Sequence, residues 1–240
     1  MKLNSDTAIV TDKSTKKVPM STFRKTSLVA GLLYLVTFVS IPTIALYSSI
    51  HQPDYMLGQG TDNAVISGCV LEIIVAIAGI GTAIALYPVL KRQNESLALG
   101  LVASRILEGS TMFVGVAFLL SVVTLRKAGA GADALVTSHA FVALYDRIFL
   151  LGQSFMPALN DVLLGLLLYQ SRLVPRALSL IGIVGAIPLV VGYIAVMMGL
   201  IGQHSTLAGL AALLVALFEF SLGIYLVVKG FKPSANANKI

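Results

Sequence analysis

Six long apolar stretches fill most of this 240-residue chain, and acidic and basic side chains lie inside four of them. A run of roughly 17 to 25 apolar residues crosses the hydrocarbon core of a bilayer as a helix. An ionisable group inside such a helix is costly to bury, so it needs a partner or a task. Composition points the same way. The chain is 57% hydrophobic and 12% charged, about half the charge of a soluble domain, for which about 25% is usual. Folded in water, it would expose large apolar patches. The fold class is therefore all-α: a polytopic membrane protein, a bundle of six transmembrane helices.

Hydropathy places the spans at 27–50, 64–90, 96–125, 134–170, 176–201 and 205–228. Each carries Gly, Ala or Ser at interior positions, which lets membrane helices approach closely. The fourth is too long for one straight crossing, and Pro157 is the expected kink. The chain divides into a basic, disordered tail at 1–24, a six-helix transmembrane domain at 25–230 and a short tail at 231–240. Met20 is an alternative start to Met1. No signal peptide fits the N-terminal segment, because the apolar run is too long and lacks a small-residue cleavage site.

The net charge of +6 would suggest nucleic acid on a soluble chain. Here the basic residues gather in short loops and tails, where they set topology and meet anionic lipid. Lys2, Lys13, Lys16, Lys17, Arg24, Lys25, Lys91, Arg92, Arg172, Arg176, Lys229, Lys232 and Lys239 fall on one side; Arg126 and Lys127 alone fall on the other. Both termini are therefore expected to be cytoplasmic. The single cysteine, Cys69, excludes an intrachain disulfide. The expected partners are the lipid bilayer and a small molecule, proton or cation, with no nucleic acid. A bundle this small also suggests a homodimer or a place in a larger membrane complex.

The intramembrane charges are the candidate site: Glu72, Arg105, Glu108, Asp146, Arg147, Asp161 and Glu219. Helical spacing puts Glu72 on one face with Gly68, Ala76, Gly79 and Ala83. Glu108 shares a face with Gly100, Ser104, Thr111 and Gly115, and Glu219 shares one with Gly209, Ala212, Ala216 and Gly223. His139, Asp146, Gln153 and Asn160 recur every seven residues along the fourth span. The carboxylates thus lie on stripes that face other helices. Depth sorts the charges into an outer layer of Glu72, Asp146 and Arg147 and an inner layer of Arg105, Glu108, Asp161 and Glu219.

Five carboxylates face two guanidinium groups in a medium that tolerates no charge excess. Some acids must stay protonated, or a cation must bind, or water must enter. One reading is proton- or cation-linked transport or binding of a small molecule. The other is packing glue in an accessory or structural subunit, with Arg105 on Glu108 and Glu219, and Arg147 on Glu72 or Asp146. An enzyme is the weakest reading. No span contains lysine, no His-Glu-x-x-His, Gly-x-Ser-x-Gly or phosphate loop occurs, and no histidine stands level with Ser104, Ser110 or Ser154. His51, His139 and His204 fall in or near loops, beside Asp54, Asp62 and Asp133. Such scattered histidines call for no metal, and no cofactor is expected.

Five segments carry a resemblance. They are 24–31 (RKTSLVAG), 85–95 (ALYPVLKRQNE), 103–109 (ASRILEG), 173–176 (LVPR) and 219–225 (EFSLGIY). Together they are similar to a bacterial multi-pass membrane family catalogued as domain of unknown function 4386, over about residues 20–232. The resemblance implies a cell (cytoplasmic) membrane and about six helices. It implies no activity.

Overall fold

A computed structural model describes residues 22–58 and 60–232. The expected tails at 1–24 and 231–240 lie almost wholly outside the described residues. Among the described residues the regular structure is all helical, and six spans are long and apolar enough to cross a membrane. The elements are α1 (Thr22–Thr37), α2 (Thr43–Leu46), α3 (Asp62–Leu90), α4 (Glu95–Lys127), α5 (Leu135–Phe149), α6 (Met156–Ser171), α7 (Arg176–Met197) and α8 (Thr206–Val228).

The first span departs from the expected single helix at 27–50. It begins earlier and breaks after α1, passing through a 3-10 turn at Phe38–Ser40 into the short α2. Pro42 is the reason: it has no N–H to give to the carbonyl four residues back, and its ring crowds that carbonyl. Hydroxyls satisfy part of the disrupted backbone. Thr37 donates to Tyr34 O at 2.7 Å, Ser40 to Thr37 O at 3.0 Å and Thr43 to Ser40 O at 2.6 Å, which makes a break tolerable in a medium without water.

The fourth span is interrupted where Pro157 demands it. A π-helical segment, Leu150–Phe155, joins α5 to α6, and Pro157 sits in the first turn of α6. Elsewhere the boundaries follow local chemistry. Asn94 caps α4 by accepting from Leu97 N at 3.0 Å, and Ser205 caps α8 by accepting from Ala208 N at 3.3 Å. α7 stops short of the expected residue 201. Gly199, at φ +72°, turns the chain so that Leu200 N reaches Ala195 O at 2.9 Å.

The start of α1, the α6–α7 turn and the end of α8 meet at one end of the bundle, the near end. Arg24 donates to Leu226 O at 3.0 Å and to Val227 O at 2.6 Å, and Lys232 N donates to Leu173 O at 2.8 Å. Tyr87 and Tyr169 lie at the same end, each under a cation, Lys91 at 5.4 Å and Arg176 at 4.9 Å from the ring centre. α1 packs between α3 and α8, α4 against α3, α5 and α6, and α7 against α6 and α8.

At about 1.5 Å per residue, α4 is about 50 Å long, well over the roughly 30 Å of hydrocarbon. At the far end α4 packs against α3 and α5, and the loop after α2 folds against them. Tyr47, Tyr55, Val65, Leu119, Val122 and Tyr145 are buried in that far-end core. Arg126 fastens the loop: it donates to Asp62 Oδ1 at 2.9 Å and Gly60 O at 3.1 Å and lies 4.3 Å over the Tyr55 ring. Burial pushes the Tyr55 hydroxyl up to about 12, so it stays a donor to Asp62 Oδ1, at 2.8 Å. Large apolar side chains such as Ile77, Ile84, Ile187 and Val191 are exposed around the bundle, as a lipid-facing surface requires.

Candidate functional site

Arg105 is the centre of the buried charge. α4 carries it one residue after Ser104 and three before Glu108, so all three reach the bundle interior. Its Nη1 donates to Glu108 Oε2 at 3.0 Å, and its Nη2 donates to Glu219 Oε1 of α8 and to the Tyr34 hydroxyl of α1 at 3.4 Å. Asn160 of α6 closes the network, donating to Glu108 Oε2 at 2.8 Å and accepting from Ser104 Oγ at 2.5 Å. One guanidinium thus joins three of the six spans and an amide brings in a fourth. Arg105 and Glu108 are buried, with side chains 4% and 7% exposed, while Glu219 is more open at 14%. Asp161, next to Asn160, is completely buried, and neither carboxyl oxygen has a hydrogen-bond partner among the described residues.

A cleft of about 350 Å³ ends on this cluster. The break in the first span makes it. Where α1 stops and the chain swings away, the space between α3 and α8 stays unfilled. Thr37, Phe38, Ile41 and Ile44 line the cleft on that side, with Ala76 and Gly79 of α3, Ala212 and Ala216 of α8, and Gln153, Ser154 and Pro157 from the π segment and the start of α6 opposite. Arg105, Glu108 and Glu219 all line it. Its volume lies at the small end of the range for ligand pockets, about 300 to 1,000 Å³.

The outer residues do not join into a second ion cluster. Glu72 is completely buried and accepts from the Tyr145 hydroxyl at 2.5 Å. Asp146 takes His51, whose Nε2 lies 3.1 Å from Oδ1. Arg147 pairs with neither. It is exposed, because one residue along a helix turns the side chain by about 100°. The pairing of Arg147 with Glu72 or Asp146 is thereby corrected: a phenol and an imidazole take the places assigned to the guanidinium. The carboxylate that His51 engages is Asp146, and among the described residues no group of three potential metal ligands assembles.

The hydrogen bond to Asp146 raises His51 above the usual imidazole value. A group raised on folding stabilises the fold fully below its unfolded value, near 6.5, and that contribution fades as pH rises through the higher folded value. Both partners are partly exposed, so the effect is expected to be under about 1 kcal/mol. Melting temperatures of His51→Gln and the parent should converge as pH rises from about 6 to about 9. Curves that stay parallel would show that the pair does not tether the far-end loop.

The sequence marks Asn160 as a polar group inside the fourth span and on its polar stripe, and it gives Tyr34, Tyr145 and Ser104 no place in the site. Asn160 was findable from that stripe, which is exposed at His139, lines the cleft at Gln153 and is fully buried at Asn160. Tyr34 carries no comparable signal, because the first span holds no charge to draw attention to it.

No curated protein and no solved structure matches the chain. A family profile described as a domain of unknown function (DUF4386) matches residues 29–230, a stretch that begins within the first span and includes the other five and every residue of the ion cluster. The chain therefore belongs to the DUF4386 family.

Proposed function

We propose that this protein binds a small molecule in the cleft between its broken first span and α8, and that a carboxylate at the cleft floor exchanges a proton or a cation as it does so. The observation that carries this reading is the continuity of the cleft with the Arg105–Glu108–Glu219 cluster. Packing glue requires no open volume beside it. A transporter-like cycle fits the same arrangement, since a first span interrupted at Pro42 and a fourth interrupted before Pro157 are natural hinges. The Lys and Arg asymmetry favours a cell membrane with both termini cytoplasmic.

One observation favours the accessory-subunit reading: Arg105 bonds to groups on α1, α4 and α8 at once, which is what structural glue would do. Thermal unfolding of the detergent-solubilised protein separates the two. A scan from about pH 5 to about 9 with a panel of cations and organic ions should move the melting temperature, and Glu108→Gln should abolish the response while still folding. A response that is flat for the parent, with Glu108→Gln merely melting earlier, would leave the accessory reading in place.

A further inference from the structure

The cleft has a more selective lining than a small molecule alone requires. Its walls are largely apolar and aromatic, with Phe38, Phe149, Leu189, Tyr193 and Val215 among them. Tyr193 aside, its ionisable groups are Arg105, Glu108 and Glu219, so the lining carries one net negative charge when both glutamates are ionised. The surrounding elements do not cancel it. α1 presents the Tyr34 hydroxyl, α3 presents Ala76 and Gly79, α6 adds Asp161, and α7 presents Tyr193. A single uncompensated charge in a medium of low polarity requires one positive charge beside it.

The two glutamates are not equivalent. Glu108 Oε2 accepts from both Arg105 and Asn160, whereas among the described residues Glu219 accepts from Arg105 alone, through Oε1, and is the more open of the two. Ser154 supplies a second, independent sign of an unfilled site. It is 3% exposed and lines the cleft, yet its hydroxyl has no hydrogen-bond partner among the described residues.

We infer that the cleft takes a monovalent organic cation with an apolar body, with Glu219 as its counter-ion. This rests on the binding reading above and names the ligand class. The aromatic rings contribute cation–π attraction and the aliphatic walls accept the apolar body.

The test is calorimetric titration of the full-length protein in detergent with three probes: benzyltrimethylammonium, its uncharged carbon isostere neopentylbenzene, and benzenesulfonate. Benzyltrimethylammonium should bind, and Glu219→Gln should weaken it at least tenfold. The isostere should bind at least tenfold more weakly than the cation, and benzenesulfonate should not bind. Ala216→Leu, which fills the cleft and leaves the ion cluster intact, should weaken the cation at least tenfold while keeping the parental circular dichroism. Equal affinity for the isostere, or a cation Kd unchanged in Glu219→Gln, overturns the ligand class and leaves the binding reading standing. Absence of binding by all three probes, together with a melting temperature indifferent to pH and ligands, overturns both.

Discussion

Arg105→Met should lower stability by about 3–5 kcal/mol, the usual cost of removing one partner from a buried ion pair. The substitution keeps most of the side-chain volume and removes the one cation that, among the described residues, contacts Glu108 and Glu219. It also leaves the Tyr34 hydroxyl without its donor and Asp161 with no positive charge near it. Arg105→Lys should recover only part of the loss, since an ammonium cannot span two carboxylates in the forked geometry of a guanidinium. The triple variant Arg105→Met, Glu108→Gln, Glu219→Gln should melt well above Arg105→Met alone, because neutral amides carry no stranded charge. Chemical or thermal unfolding in detergent reads all three. A single variant that unfolds with the parent would mean that the cluster holds nothing together.

The second large effect lies at the crossing of α1 and α8. Gly31 lies so close to its neighbours that an added Cβ would stand 2.8 Å from the Gly223 carbonyl oxygen and 2.9 Å from Leu226 Cβ and Val227 Cγ2. Neither the carbonyl nor Leu226 Cβ can move without its helix. Gly31→Ala should therefore cost about 1–3 kcal/mol by overpacking, and Gly31→Leu more. Gly209, on the same α8, is the control: an added Cβ there meets nothing within 4 Å. Gly209→Ala should be neutral or gain up to about 1 kcal/mol from helix propensity. If both alanines shift the melting temperature alike, packing at Gly31 is not the cause.

How much of this was visible in the sequence varies from residue to residue. The spans at 64–90, 96–125 and 205–228 came within a few residues of α3, α4 and α8, because length and hydropathy are properties of the segment itself. The stripes holding Glu108 and Glu219 pointed inward for the same reason. The first span was misjudged because Pro42 sits in an unbroken apolar run, and hydropathy averages over the proline. That one error concealed the cleft, which is a gap left by a missing stretch of helix and belongs to no single face. Arg147 was placed in the outer layer by depth alone, while its neighbour Asp146 turns to His51. Partners such as Tyr145 for Glu72 come from a different span, and no spacing within one helix encodes them.

The π segment at Leu150–Phe155 has a consequence for how the fourth span tolerates change. A π turn holds one residue more than the α-helix around it. It works as a slack turn, storing a surplus residue without changing which way α6 faces. Deleting one residue from it would let an ordinary helix run through with α6 turned only slightly, because five α-helical residues at about 100° each turn the chain about as far as the wider π turn does with one more. Asn160 would stay near Glu108 and Asp161 in the core. The same deletion in α6 ahead of Asn160 would swing both away by about 100°. Gly152→Ala is the severe change in this stretch, because an added Cβ would run into the Thr111 side chain, 2.7 Å from its Cβ. A one-residue deletion, ruinous within most helices, is the lesion this turn can absorb.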